Sequence, residues 1–285
     1  MVRPINAFVS PASFSAMAEP VFGQFSNNYD NPLLPCRVKV NRAKKHLGDF
    51  QQAIEALAST HKSQIVFEDD GDTRIYTLLH IDPLPPSLSA FIGDVVHNLC
   101  AALDALALAL VQKAPNPAPV LPVDIDQIYF PIDWNKTYSA KRCSRFFNAV
   151  NPDVEKIIRE LEPYRGGDHD KFFCLNRLDN IDKHRNIITV WARFTNVTMT
   201  GPVELHRGEF VATKRADLKT GDELGRWTCP GAITRPGHLF TFEVAFGKGS
   251  FGFEGLPALR LLHESINRVE AAIDRFARDI FRHGW

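Results

Sequence analysis

SLSAFIGDVVHNLCAALDALALALVQ, residues 87–112, is the stretch on which the fold turns. Wound as a helix, it gathers Val95, Val96, Leu99, Ala102, Leu103, Leu106 and Leu110 into one wide apolar arc. Asp94, His97, Asn98, Ala101, Asp104 and Ala105 fall on the opposite arc. An apolar arc this wide belongs to a central helix enclosed by others. The small residues on its second side suit close approach of another helix. Ser87 reads as the N-cap.

Upstream, QIVFEDDGDTRIYTLLHI (64–81) has two β-rich runs around Asp69-Asp70-Gly71-Asp72, which predicts a hairpin. Before it, Val40, Ala43, Leu47, Phe50, Ile54 and Leu57 recur with helical spacing, predicting an amphipathic helix over 38–60. Residues 1–35 are rich in Pro, Ser and Asn and read as an irregular N-terminal arm. Downstream, residues 114–134 form a Pro-rich connection without a regular period. Asn151-Pro152 caps a helix burying Val154, Ile157, Ile158 and Leu161, and a further helix spans His169–Asn186. Between about 187 and 250 the period changes to two, in IITVWARF, VELHRGEFVAT and HLFTFEVAF. A last helix opens at Pro257 with Leu259, Leu262, Ile266, Val269, Ile273, Phe276 and Ile280 inward. The expected fold is α+β, a bundle of about five helices with a β-hairpin and a small antiparallel sheet inserted before the C-terminal helix. Residues 36–285 are read as a single domain, in which the first and last long helices close the bundle.

The 285 residues are 45% hydrophobic and 23% charged, with 33 basic and 33 acidic side chains, which excludes a disordered chain and a globally basic nucleic-acid binder. Locally the balance shifts. Six basic residues face two acidic ones between Arg37 and Lys62, and seven acidic face one basic between Glu68 and Asp104. Five widely spaced cysteines without a C-x-x-C pair suit free thiols in a reducing compartment. No apolar core of signal-peptide length opens the chain, and the most apolar run, Leu99–Val111, reads as too short for a membrane span. The cytoplasm is the expected location.

Ionisable groups concentrate in two helical segments. In the first, Asp94, His97 and Asp104 share a side, so Asp94 is expected to orient His97 as an acid, base or ligand. In the second, Asn176, Arg177, Asn180 and His184 share an arc, while Asp182 and Arg185 lie on the other side and are expected to pair. An Arg beside a His can bind a phosphate and move a proton, as metal-independent RNA cleavage requires. Arg177 and His184 are the candidate catalytic pair, with Asn180 orienting the His. Asp94, His97, Asn98, Asp104 and Asn176 are supporting or binding residues. The plain alternative is that both groups only tie helices together. No H-x-x-x-H, P-loop, G-x-G-x-x-G or G-x-S-x-G occurs, so no metal and no cofactor are expected.

GDVVHNLCAALDALALAL and LNRLDNIDKHRNI together resemble a widespread group of bacterial proteins patterned G-D-x-x-H-N-L-R-S-A-L-D-H and N-N-I-D-K-H-R. His97, Asn98, Leu99, Ala102, Leu103 and Asp104 match the first pattern, and Asn180–Arg185 the second. That resemblance implies a shared scaffold. The Arg and His of the first pattern are in turn similar to the R-x4-6-H signature of the helical HEPN superfamily, which includes ribonucleases of toxin and phage-defence systems. Here Cys100 and Ala105 stand at those two positions. Arg177 and His184 form a second pair of suitable length, with Leu178 where a polar residue usually follows the Arg. The resemblance implies a helical protein that binds RNA or a protein partner, with residual or no nuclease activity. A homodimer is a separate expectation, and no membrane partner is expected. The alternative is a non-enzymatic scaffold.

Overall fold

The computed structural model describes residues 5–6, 8–9, 31–60, 63–184, 188–200, 208–213, 219–230 and 237–281. In chain order the elements are β1 (Ile5–Asn6), β2 (Phe8–Val9), α1 (Leu34–Thr60), β3 (Ser63–Asp70), β4 (Thr73–Ile81), α2 (Pro86–Lys113), α3 (Lys141–Ala149), α4 (Pro152–Leu161) and α5 (Asp170–His184). Then follow β5 (Val190–Thr200), β6 (Glu209–Ala212), β7 (Glu223–Thr228), β8 (Gly237–Phe246) and α6 (Ala258–Asp279). The α+β architecture is as the periodicity predicts. The extra helix is α3, whose short sequence KRCSRFFNA buries only Cys143, Phe146 and Ala149.

Helix α2 is the central rod, packed against α1, α5 and α6. All seven residues of its predicted apolar arc are buried. It starts one residue before Ser87, which therefore does not cap it. Pro85 holds the cap position without a side-chain bond, and Pro86 enters the first turn. By length and composition α2 could cross a membrane, which corrects the expectation that no stretch reaches that length. In this fold, however, 67% of its most apolar window is buried inside the protein. Helices α1 and α6 run antiparallel, since Arg37 meets Asp274 at 2.8 Å and Lys44 meets Glu270 at 2.6 Å. Both pairs are exposed and orient the helices more than they stabilise them. The cap of α4 is as expected, Asn151 accepting the Val154 N–H at 3.1 Å.

The β residues form two sheets, ordered β1-β3-β4-β7-β6 and β2-β8-β5. The hairpin β3–β4 turns at Gly71, whose φ of 55° favours glycine. It does not stand apart from the later strands: β7 pairs with β4 and carries β6 beyond it. Strand β7 escapes the sequence reading because its short run ELGRWT carries a mid-strand glycine and little alternation. Gly225 is bare for a reason, since a Cβ there would lie 2.5 Å from the Phe210 ring. Within the N-terminal arm, β1 pairs with β3 and β2 runs parallel to β8. Residues 10–30 lie outside the described ones.

The two sheets are joined by aromatic packing. Tyr76 of β4 lies 5.0 Å from Phe240 of β8 and 6.0 Å from Phe210 of β6, centroid to centroid. Both Tyr76 and Phe240 are fully buried. Phe240→Ala should therefore lower the unfolding free energy by about 3–5 kcal/mol. Equilibrium urea unfolding checks this, and a loss near zero would contradict the role given to Phe240.

Candidate functional site

The two segments singled out in the sequence face each other across the α2–α5 contact. At Gly93 an added Cβ would lie 2.7 Å from both carboxylate oxygens of Asp182. A side chain there would move that carboxylate, which ends an exposed and flexible side chain. Arg185, the expected partner of Asp182, lies outside the described residues.

One turn further along α2, His97 Nδ1 lies 3.1 Å from Asp179 Oδ1, and Lys183 donates to Asp179 Oδ2 at 2.7 Å. The Asp179 side chain is 7% exposed, whereas His97 and Lys183 are 47% and 43% exposed. The imidazole is thus oriented by a carboxylate, but by Asp179 rather than Asp94. Asp94 turns instead toward His46 of α1, at 3.8 Å. An i, i+3 pair on one helix loses here to a buried acceptor that α5 lays over the ring. Asp179 carries no special mark in the sequence except its i, i+4 spacing to Lys183.

Burial raises the pKa of Asp182, and the nearby Asp179 and Asp94 carboxylates add to the rise. For Lys183, burial alone would lower the pKa, but the hydrogen bond and charge of Asp179 hold it above the ordinary value. Asp104 accepts the Phe130 N–H at 3.0 Å, yet burial pushes its pKa up to about 6. Lys183 and Arg142 pull it down, and Asp179 opposes them. Cys100, sealed beside these groups, is raised well above the usual thiol value by burial and by Asp179 and Asp104. It is a protonated packing residue rather than a nucleophile.

The amide side chains act locally. Asn98 donates to the Asp94 carbonyl at 2.8 Å and Asn180 to the Asn176 carbonyl at 2.6 Å, each one turn back on its own helix. Asn180 therefore uses its amide nitrogen within α5 instead of presenting it to His184, whose side chain lies outside the described residues. Asn176 Oδ1 accepts from Arg142 Nη1 at 3.2 Å, and Arg142 also grips the Ile132 carbonyl at 2.5 Å and 3.1 Å.

Arg177 departs from this network. Its guanidinium carbon lies 4.6 Å from the Phe251 ring centroid and 5.5 Å from that of Trp134. Its Nε is buried and has no hydrogen-bond partner among the described residues. Trp134 and Phe251 are 50% and 37% exposed, and Arg165 lies 5.8 Å from the Trp134 ring. Phe251 adopts φ 41°, an uncommon backbone for a bulky residue, and thereby holds its ring against Arg177. The predicted arc of Asn176, Arg177, Asn180 and His184 thus divides. Asn176 faces Arg142, while Arg177 sits in an aromatic cradle contributed by the 134 and 251 loops. Neither aromatic was a candidate in the sequence, because loop residues carry no period.

No group of described residues is arranged to hold a metal ion. No family model, curated protein or solved structure matches this chain.

Two outcomes follow. Gly93→Ala should cost little stability, because the Asp182 carboxylate ends an exposed, flexible side chain that can swing aside and alanine is favoured over glycine in a helix by about 1 kcal/mol; thermal unfolding measures this, and a clearly lowered melting temperature would contradict it. Asp104 holds its proton more tightly folded than unfolded, so its contribution is fully present below about pH 4 and lost as pH rises through about 6, an effect on the order of 3 kcal/mol. Asp104→Asn keeps an acceptor for the Phe130 N–H and removes this pH dependence. The variant should match or exceed wild-type stability at neutral pH, with the gap closing at low pH. A variant less stable than wild type at neutral pH would contradict it.

Proposed function

We propose that this protein is a HEPN-like helical RNA-binding protein that holds a single strand without cleaving it, and that Arg177 is its principal contact. The observation that carries this reading is the Arg177 guanidinium set between the exposed rings of Trp134 and Phe251, with a buried Nε that has no partner among the described residues. An arginine stacked on aromatic faces keeps its N–H edge for an acceptor and is more weakly hydrated than a lysine. Exposed aromatic surface beside it offers bases a stacking face. No ion pair or hydrogen bond among the described residues engages this half-exposed guanidinium, which leaves it to meet a phosphate oxygen. Arg165 at the same tryptophan adds a second cation.

The cleavage version of the reading has less support. Asn180 is engaged with its own helix, and the oriented histidine, His97, belongs to the separate α2–α5 cluster. That cluster has the character of an interhelical tie, with Asp179 buried and satisfied by both neighbours. The non-enzymatic scaffold is in this respect part of the same account. The five cysteines are unpaired, which favours a reducing compartment such as the cytoplasm.

Fluorescence anisotropy with labelled oligouridylate of about 20 nucleotides, in EDTA, tests the proposal. Arg177→Ala and Trp134→Ala should each weaken binding by about 1–3 kcal/mol. The slope of log affinity against log salt should fall by about 0.7 for Arg177→Ala. Equal affinity of wild type and Arg177→Ala, or no binding by either, would overturn the proposal.

A further inference from the structure

Helix α3 carries its charge at the wrong end. Between Trp134 and Val150 stand four basic residues, Lys136, Lys141, Arg142 and Arg145, and no acidic one. Three of them fall in the first half of α3, whose first turn holds no acid and whose last turn holds no base. The N-terminal end of a helix is its positive end, so cations there oppose the macrodipole. Lys141 and Arg145 are also one turn apart, a spacing at which like charges repel. The next helix follows the usual pattern, with Asp153 and Glu155 in the first turn of α4 and Arg159 in the last.

Of these cations Arg142 serves the fold. Its guanidinium donates to the Asn176 side-chain oxygen at 3.2 Å and to the Ile132 carbonyl at 3.1 Å. Lys136 and Lys141 are exposed and Arg145 is partly exposed, and no ion pair or hydrogen bond among the described residues engages their side chains. Unpaired like charges at a positive helix end weaken the helix until an anion lies across them.

That end of α3 adjoins the Arg177 cradle. The buried Asp133 accepts the Trp134 N–H at 2.7 Å with one carboxylate oxygen and the Ala140 N–H at 3.1 Å with the other. One carboxylate thus holds the backbone of the cradle tryptophan beside the residue that precedes Lys141. Arg142 makes a second link, since its partner Asn176 is the neighbour of Arg177 on α5. The loop between is fixed as well. Asn135 Oδ1 accepts the Thr137 N–H at 3.0 Å, and the Asn135 carbonyl accepts the Tyr138 N–H at 3.3 Å. The cradle and the unpaired cations of α3 are parts of one pre-formed surface.

We propose that the strand held at the Arg177 cradle continues over the first turns of α3, its phosphates meeting Lys136, Lys141 and Arg145. This rests on the RNA reading of the cradle and adds the path of the strand. Lys141 and Arg145 are about 6 Å apart along the helix axis, so the two can meet successive phosphates of an extended strand. Such contacts are to the backbone, so they add affinity and salt dependence without sequence preference.

The test is fluorescence anisotropy of the full chain with labelled oligouridylate of about 20 nucleotides, in EDTA, over a range of salt. Lys141→Gln with Arg145→Gln removes two charges and keeps good helix formers. This variant should bind about tenfold more weakly, with the slope of log affinity against log salt reduced by about 1.4. Its melting temperature should equal or exceed that of wild type, because repulsion within α3 is relieved. Arg42→Gln with Lys45→Gln, on the exposed face of α1, removes the same charge elsewhere and should leave affinity and slope unchanged. Wild-type affinity of the α3 variant, with Arg177→Ala still weakened, would overturn the proposed path and leave the RNA reading standing. An equal loss in the α1 variant would reduce the effect to net charge and overturn the path too. A clearly lower melting temperature of the α3 variant would show that these cations serve the fold, which also overturns it. No binding by wild type would overturn both readings.

Discussion

The buried Asp179 carboxylate of α5, bonded to His97 of α2 and to Lys183 on its own helix, ties the two helices together and commits one face of α5 to α2. With that face committed, Arg177 emerges on another side of the helix, where the 134 and 251 loops meet it with aromatic rings. One contact thus divides α5 into a tying face and a presenting face.

The tying face looks catalytic because it shares parts with catalytic sites: a histidine oriented by a buried carboxylate, a lysine, and an aspartate whose pKa is pushed up to about 6. Such perturbed groups also arise wherever charges are packed between helices. The balance here is structural. Asp179 is satisfied by His97 and Lys183, Asp104 by the Phe130 N–H, and Asn98 and Asn180 by carbonyls one turn back. Arg177 differs in kind. Its Nε is buried and has no partner among the described residues, and the backbone at Phe251 is held in an uncommon conformation beside it. Unanswered donors and strained neighbours point outward to a ligand more directly than satisfied clusters do.

How much of this was legible follows from the physics of each signal. The long helices were, because Val95 to Leu110 on α2 and Leu262 to Phe276 on α6 repeat a strong apolar period that burial enforces. The hairpin was, because Gly71 marks its turn. Helix α3 and strand β7 were not, because three buried residues in nine, or a six-residue strand with a central glycine, leave too little pattern. Periodicity locates the two motif helices but not their partners. Spacing pairs His97 with Asp94 on its own helix, because spacing along one helix is readable and the approach of another is not. For the same reason it groups Arg177 with Asn176 and Asn180, while Trp134 and Phe251, distant in sequence and set in loops, give no sign. Composition marks the Pro-rich connection, but only the Asn116 and Asn148 clamps distinguish a fixed segment from a loose linker.

The central claim is that the Arg177 guanidinium, rather than the His97 cluster, meets the ligand. The most direct measurement is NMR of the arginine side-chain Nε–H and histidine ring signals in the intact protein during titration with oligouridylate. The account predicts that the Arg177 Nε–H resonance, shifted by the two flanking rings, moves with the bound fraction while the His97 ring signals stay in place. Movement of His97 with a stationary Arg177 would contradict it.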